Sequence, residues 1–206
     1  PHAPDLIRDF GQTLGQLARA LADFEGRPPA SVSGAEDGPS WTLLDAPAEI
    51  RPRLRFIEDT HRRGLVQSIL DRHVLVIEPV VSTLRRSVVH QDANENNVLV
   101  DVTTSGSRVT GLIDFGDACH TALVCEPAIA AAYIAFAKSD PLTAMAELIA
   151  GFHSESPLTD DEFACVFDLA RLRLAMSVAV SSERASAEED DPYHLVSAAP
   201  AWRLLE

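Results

Sequence analysis

The first part of the chain carries hydrophobic residues at three- and four-residue steps. This spacing predicts an amphipathic helix over residues 5–24, and the residues that carry the pattern are Leu6, Phe10, Leu14, Leu17, Ala18 and Leu21. Further helical patterns follow over 46–56 and 62–71, with a short helical turn over 79–84. Residues 26–40 are rich in Gly, Pro and Ser, which predicts a loop after the first helix.

The period of the pattern changes in the middle of the chain. Residues 88–90, 97–101 and 108–115 form short runs that are rich in β-branched residues, which is typical of strands. Residues 103–107 lie between the last two runs and predict a hairpin loop. We therefore expect a small β element whose main feature is a hairpin.

Helical patterns return in the last third of the chain. Residues 126–138 are apolar on nearly every side, which predicts a buried helix. Asp140 and Pro141 predict the start of the next helix, and the capping-box pattern from Thr159 to Glu162 predicts a long helix after it. Residues 186–191 predict a charged linker before a terminal helical segment. The predicted fold class is α+β and mostly α-helical, with the β element at its centre.

The composition is that of an acidic protein with one medium-sized domain. The 206 residues include 17 basic and 31 acidic side chains, which gives a formal net charge of −14 at pH 7. Binding to nucleic acid or to an anionic membrane surface requires a basic face, and we expect neither partner. An acidic field suits a small cationic substrate or a divalent metal ion.

Two further features bear on the compartment. No apolar run reaches the roughly 20 residues that a membrane-spanning helix requires. The sequence contains three cysteines, an odd number, and no two of them have the spacing of a redox or zinc-binding pair. They are Cys119, Cys125 and Cys165. We therefore expect free thiols and a cytoplasmic location.

Acidic and amide side chains follow directly after two of the predicted strands. His90, Asp92 and Asn97 form the pattern H-x-D-x-x-x-x-N, and Asp114 opens an Asp-Phe-Gly sequence after the next hairpin. Phosphoryl transfer requires a carboxylate for the attacking hydroxyl and hard oxygen ligands that hold magnesium against the phosphates. Asp92, Asn97 and Asp114 supply these groups in the chain order of kinases. The alternative is that both stretches are ordinary turns.

With these motifs the sequence resembles the C-terminal lobe of the aminoglycoside phosphotransferase and choline kinase family, which is kinase-like in fold. The specific motifs lie within residues 90–133. The resemblance implies that Asp92 is the catalytic base, that Asn97 and Asp114 are magnesium ligands and that His90 braces the loop. It also implies Mg²⁺ and ATP, or GTP, as cofactors.

Other residues near the motifs are candidates for supporting roles. Asp117 is expected either to aid metal or substrate binding or to be a solvated loop acid. At the position of Glu126 the family has an aspartate that hydrogen-bonds the catalytic-loop backbone, which implies the same role for Glu126. The alternative is that Glu126 only places a favourable negative charge at the N-terminus of its own helix. Gln91 stands where the family commonly has glycine, which predicts an altered local backbone. His120 is expected to be structural or to approach the substrate.

Other parts of a kinase site are missing from this sequence. The nucleotide-anchoring lysine of kinases precedes the catalytic loop, whereas the only lysine here, Lys138, follows it, and no glycine-rich phosphate loop occurs. We therefore expect residues 1–206 to form a single kinase-like C-terminal lobe that is a fragment of a longer protein, with the N-terminal lobe absent. Its expected parts are helices and a loop over 1–84, the catalytic loop, hairpin and metal loop over 85–125, and helices over 126–206. The isolated chain is expected to show no measurable ATP turnover.

The leading hypothesis is a magnesium-dependent phosphotransferase that moves the γ-phosphate of ATP or GTP to a hydroxyl. Residues 90–101, 114–124 and 191–206 are similar to the branch of the family related to hydroxylysine kinase, which is sometimes fused to an aminotransferase-like domain. The similarity implies an amino alcohol or a hydroxy amino acid as acceptor, and the wider family also includes aminoglycoside-like acceptors. The alternative is a non-catalytic kinase-like scaffold or regulatory domain. A metal hydrolase is a third hypothesis, but the sequence lacks a histidine-rich ligand set.

Overall fold

The structure is a computed structural model, and it describes residues 4–24, 42–104, 106–136, 138–187 and 192–206. The loop predicted over 26–40 lies outside these residues, and so does most of the linker predicted over 186–191.

Seven α-helices account for most of the described residues. They are α1 (Pro4–Ala20), α2 (Ala46–Arg53), α3 (Thr60–Arg72), α4 (Cys125–Ile134), α5 (Pro141–Glu155), α6 (Asp160–Ser186) and α7 (Pro192–Leu205). A π-helical turn at His73–Ile77 and a 3₁₀ turn at Glu78–Val80 follow α3. The prediction of a mostly helical α+β fold is confirmed. None of the described helices is long and apolar enough to span a membrane.

The starts of α5 and α6 follow from the capping residues in the sequence. The Thr143 amide donates a hydrogen bond to the Asp140 carboxylate at 3.1 Å, where α5 begins. At the start of α6, the Glu162 amide donates to the Thr159 hydroxyl at 3.3 Å and the Thr159 amide donates to the Glu162 carboxylate at 2.9 Å. These bonds satisfy amide groups that the first turn of a helix leaves without partners. The predicted capping box is therefore present.

Helix α4 forms the centre of the core. All its residues from Cys125 to Ala132 are buried, because the helix is apolar on nearly every side and packs against both α5 and α6. The predicted buried helix is confirmed, although it ends at Ile134 rather than near Lys138. One acidic residue, Glu126, lies inside this apolar region and is 1% exposed.

Helices α1 and α5 lie in close contact because glycines occupy their interface. A Cβ atom at Gly151 would lie 2.1 Å from the Arg8 carbonyl oxygen, and one at Gly11 would lie 2.0 Å from the Leu148 carbonyl oxygen. Neither position has room for a side chain, so the two backbones approach to a distance that glycine alone permits.

Four short strands within the described residues form two separate antiparallel pairs. Strand β1 (Arg86–Val89) pairs with β4 (Cys119–Ala122), and β2 (Val98–Thr103) pairs with β3 (Gly106–Leu112). The predicted hairpin is confirmed, with a loop shorter than the one expected over 103–107. The sequence pattern does not predict β4, because its four residues show no β-branched run and are extended only through their pairing with β1.

Helices hold the β element at both of its pairs. The Asp9 carboxylate of α1 accepts a hydrogen bond from the Val109 amide of β3 at 2.6 Å. At the start of β1, the Arg85 guanidinium donates to the Glu162 carboxylate of α6 at 2.6 and 2.9 Å. Each of the two strand pairs is therefore attached to a helix of the core.

Candidate active site

The loop of residues 90–97, between β1 and β2, folds around the carboxylate of Asp92. The Asn94 side-chain amide donates a hydrogen bond to Asp92 Oδ2 at 2.9 Å, and the Asn97 amide donates to the same oxygen at 3.0 Å. The Asn97 amide also donates to the Asp92 carbonyl oxygen at 2.8 Å. These local bonds fix the orientation of the Asp92 side chain.

The surroundings of Asp92 shift its acidity in opposite directions. Burial raises the pKa of Asp92 above its ordinary value, and the carboxylate of Asp117 adds to that rise. The hydrogen bond from Asn94 and the positive charge of Arg173 act against it. A guanidinium nitrogen of Arg173 lies 3.9 Å from Asp92 Oδ1, and the Asp92 side chain is 26% exposed. Asp92 is thus a partly desolvated carboxylate that a solute can still reach.

His90 joins the loop to the end of the hairpin. Its side chain is fully buried, and its Nε2 donates a hydrogen bond to the Ile113 carbonyl oxygen at 2.8 Å. Its Nδ1 accepts a hydrogen bond from the Asp92 amide at 3.3 Å, so the two ring nitrogens contact both segments. The ring also packs on Phe115 at 4.6 Å between centroids.

Glu126 supports the same loop from the core. One of its carboxylate oxygens accepts a hydrogen bond from the His90 amide at 2.5 Å, and the Gln91 amide also donates to this carboxylate. Burial raises the pKa of Glu126, and these two amides and the nearby His90 ring act against that rise. Its Oε1 has no hydrogen-bond partner within the described residues. Glu126 therefore contacts the loop backbone and is more than a charge at the start of α4.

Gln91 adopts the left-handed backbone conformation, with a φ of 67°. This region costs L-residues with a Cβ atom about 1 kcal/mol and is free for glycine. The Gln91 side chain is 3% exposed and accepts a hydrogen bond from the Cys119 thiol at 3.1 Å. Gln91 thus takes up a backbone conformation that suits glycine, and its side chain is buried.

Asp114 follows β3 and is also left-handed, with φ 62° and ψ 67°. Its exposed carboxylate accepts a hydrogen bond from the Gly116 amide at 3.3 Å. The residue before it, Ile113, donates its amide to the Asn97 carbonyl oxygen at 3.0 Å. Together with the bond from His90, this contact brings the end of the hairpin beside the Asp92 loop.

The oxygen atoms of Asn97 and Asp114 have the chemistry of ligands for a hard cation. Asn97 uses its side-chain nitrogen for both bonds to Asp92, so its amide oxygen has no hydrogen-bond partner in the described parts of the chain. The described residues contain no group of three or more His, Cys, Asp or Glu that could hold a metal by themselves. Mg²⁺ does not require such a group, because it commonly takes one or two protein ligands and completes its shell with water and phosphate.

A cavity of about 270 Å³ opens beside the loop. Its walls come from α1, the loop, the hairpin and the end of α4, with Phe10, Asn94, Val98, Val109, Tyr133 and Lys138 among the lining residues. Asn94 contacts Asp92 directly, and the Arg173 guanidinium donates a hydrogen bond to the Tyr133 hydroxyl. The cavity is therefore lined by a residue that contacts the candidate catalytic group.

Local sequence patterns mark the residues of the loop but not the residues that reach the loop from other elements. Arg173 lies on α6, far along the chain from Asp92, and no local pattern marks it. Tyr133 lies on α4 within the stretch of the family motifs. The Arg173 guanidinium lies over the Tyr133 ring, 5.1 Å from the ring centroid. Asp117 and His120 are both exposed, and Asp117 is near enough to Asp92 to affect its pKa.

Comparisons with known sequences give several relatives. The chain is 26% identical over 210 residues to a hydroxylysine kinase of Xenopus laevis, covering 98% of this chain and 56% of that protein. It is 35% identical over 166 residues to a homoserine kinase of Methylobacillus flagellatus, covering 78% of this chain and 46% of that protein. The chain thus spans about half the length of the curated relatives it matches.

Solved structures share the fold. A microcompartment-associated aminopropanol kinase matches with a TM-score of 0.58 at 20% identity, over 99% of this chain and 62% of that one. An amicoumacin kinase matches with the same TM-score at 13% identity, over 98% of this chain and 58% of that one. At these identities the likeness establishes the fold alone.

A family profile matches residues 1–175, which is most of the chain. This match confirms the resemblance found in residues 90–133. The chain belongs to the phosphotransferase enzyme family known as APH.

Proposed function

We propose that the protein containing this chain transfers the γ-phosphate of ATP or GTP to a hydroxyl group of a small molecule. The acceptor classes are amino alcohols, hydroxy amino acids and aminoglycoside-like compounds. The observation that carries the proposal is the joining of the Asp92 loop to the end of the hairpin, where Ile113, the neighbour of Asp114, is hydrogen-bonded to His90 and Asn97. Hydroxylysine, homoserine and aminopropanol kinases among the similar proteins support a hydroxyl acceptor.

We assign to Asp92 the role of the group that receives the acceptor proton. The acceptor oxygen forms a bond to the γ-phosphorus, the bond from that phosphorus to the bridging oxygen breaks, and nucleoside diphosphate leaves. The hydroxyl proton passes to Asp92. Hydrogen bonds from Asn94 and Asn97 hold the carboxylate in one orientation, which reduces the entropic cost of aligning the acceptor.

Asn97 and Asp114 would hold a divalent metal ion, and Mg²⁺ is the ion we propose. When bound, this ion neutralises negative charge on the phosphates. Asp117 lies near enough to add negative charge to the site, and His90 and Glu126 hold the loop from the core side. An amicoumacin kinase of the same fold was solved with AMP-PNP and Ca²⁺, which supports the use of a nucleotide and a divalent cation.

The location we propose is cytoplasmic. Cys119, Cys125 and Cys165 are free and buried, as is usual in a reducing compartment.

The test compares two substitutions in the full-length protein. Asp92→Asn should lower the phosphoryl-transfer rate by about 10²- to 10⁴-fold while leaving nucleotide binding and the thermal midpoint near those of the parent. Asp114→Asn should remove the strengthening of nucleotide binding by Mg²⁺, measured by calorimetry with and without the metal. Glu58→Gln, which removes an exposed carboxylate outside the loop and the cavity, serves as control. Parent-like rates in both site variants would contradict the proposal.

A further inference from the structure

The cavity beside the Asp92 loop contains two opposite charges in an otherwise mainly apolar lining. Lys138 lines it from the segment after α4, and Glu95 lines it from the loop. The apolar walls include side chains such as Phe10, Val98 and Ile134. An apolar enclosure with one ammonium and one carboxylate is complementary to a small zwitterion with an aliphatic part.

Lys138 is partly buried without a compensating charge. Burial lowers its pKa, and no carboxylate among the described residues offsets that effect. Its ammonium group has no hydrogen-bond or ion-pair partner in the described ranges. A partly desolvated ammonium group gains most from a ligand that brings an anionic oxygen.

Glu95 provides the opposite charge at the same cavity. Its carboxylate is exposed and likewise has no ion-pair partner in the parts of the chain that the structure describes. The two charges do not pair with each other, so both are available to a ligand that lies between them. Repulsion is also avoided, because a ligand with one carboxylate and one ammonium meets a counter-charge for each group.

Two residues that line the cavity connect it to the candidate catalytic group, Asp92. Asn94 lines the cavity and donates a hydrogen bond to Asp92 at 2.9 Å. Tyr133 lines it as well and bonds Arg173, which lies 3.9 Å from Asp92. A molecule held in the cavity would therefore lie beside Asn94 and Tyr133, the two residues that connect the cavity to Asp92.

We propose that this cavity binds the α-amino acid end of the phosphate acceptor, with the carboxylate on Lys138 and the α-ammonium on Glu95. The acceptor class is thereby a hydroxy amino acid rather than a simple amino alcohol or an aminoglycoside. The assignment of the cavity to the acceptor rests on the function proposed above, whereas the recognition of the zwitterion by Lys138 and Glu95 is tested independently of catalysis.

The experiment uses pairs of ligands that differ by one carboxylate. Homoserine is compared with 3-aminopropan-1-ol, and 5-hydroxylysine with 1,5-diaminopentan-2-ol, by calorimetric titration of the full-length protein without nucleotide. The parent should bind the amino acid of each pair about 10- to 100-fold more tightly, the range of one charge-assisted hydrogen bond. Lys138→Met should abolish this preference without weakening the binding of the amino alcohols, while Lys138→Arg should keep part of the preference. Glu95→Gln should weaken both members of each pair.

Matched controls distinguish a loss of ligand recognition from misfolding of the variants. Arg203→Met removes one exposed positive charge on α7, outside the cavity, and should keep the preference of the parent. Circular dichroism and the thermal midpoint should be the same in all variants. The proposal is overturned if the parent shows no preference for the amino acids, or if Lys138→Met retains it.

Phosphoryl transfer is measured on the same ligands to distinguish the two proposals. Carboxylate-dependent binding without phosphate transfer to any ligand would refute the proposed function and leave the assignment of the cavity intact. Equal transfer to amino acids and amino alcohols, with Lys138→Met indistinguishable from the parent, would refute the cavity proposal and leave the proposed function intact.

Discussion

Arg173 is the residue whose effect on Asp92 is easiest to isolate. Its guanidinium lies 3.9 Å from the Asp92 carboxylate, and its positive charge lowers the pKa of Asp92. The same guanidinium hydrogen-bonds the Tyr133 hydroxyl. Arg173 thus acts on the candidate base through charge, and its bond to Tyr133 keeps it in place.

Removal of this charge should move the pH dependence of catalysis. A base must be deprotonated to accept a proton, so the rate falls on the acid side as pH drops through the pKa of Asp92. Arg173→Met should raise that pKa and shift the acid limb of the kcat profile to higher pH. Tyr133→Phe keeps the charge and should shift the limb less. An unchanged acid limb in Arg173→Met would show that Asp92 does not titrate in this profile.

Gln91 provides a second test at the scale of one residue. Gln91→Gly and Gln91→Ala both remove the side-chain amide and its hydrogen bond from Cys119. The two variants therefore differ mainly in how well glycine and alanine tolerate the backbone conformation at this position. At a φ of 67° the glycine variant should be the more stable by about 1 kcal/mol. Where φ is negative, as in the interior of a helix, the alanine variant is instead the more stable one. Urea unfolding of the two variants measures the difference. Equal stability, or a more stable alanine variant, would contradict the left-handed conformation.

The residues of the site differ in how far they could be predicted from sequence. Asp92, Asn97 and Asp114 lie within one short stretch and are identifiable because their chemistry and spacing are local. Arg173 enters the site from α6, and Lys138 reaches the cavity from the segment after α4. Such residues depend on how helices pack, which no local spacing encodes.

At the scale of elements, the contact of α1 with α5 is the most sensitive feature. Gly151→Ala would place a Cβ atom 2.1 Å from the Arg8 carbonyl oxygen, and backbone atoms cannot yield as a flexible side chain can. We expect a loss of about 2–3 kcal/mol in the free energy of unfolding, measured by urea denaturation.

A matched substitution controls for the change from glycine to alanine. Gly64 lies in α3, where a Cβ atom would meet nothing within 4 Å. Gly64→Ala should stabilise the protein by about 0.5–1 kcal/mol through helix propensity. If both alanine variants changed stability in the same direction, the close approach of α1 and α5 would not be as described.

The helices were more predictable than the strands for a physical reason. The spacing of apolar residues in α1 and the capping box of α6 are properties of neighbouring residues, and both elements occur where expected. Strand β4 is four residues long and is extended because β1 supplies its hydrogen-bond partners. Pairing between distant segments leaves little trace in so short a run.

For the whole molecule, the acidic charge and the buried loop supports have different consequences. The net charge of −14 acts over a long range and favours the approach of cations. The bonds of Glu126 and Glu162 act locally, because they attach the Asp92 loop and the start of β1 to the helical core. The hydrogen bonds to Glu126 and Glu162 thus connect the candidate site to the helical core, while the net charge acts on ligands that approach the site.

The close packing of α1 on α5 also bears on how the protein is made. The two helices end and begin at residues 20 and 141, so α1 leaves the ribosome long before its partner is synthesised. At typical translation rates this delay is on the order of 10 s. During that time the apolar stripe of α1 has no α5 surface to cover it.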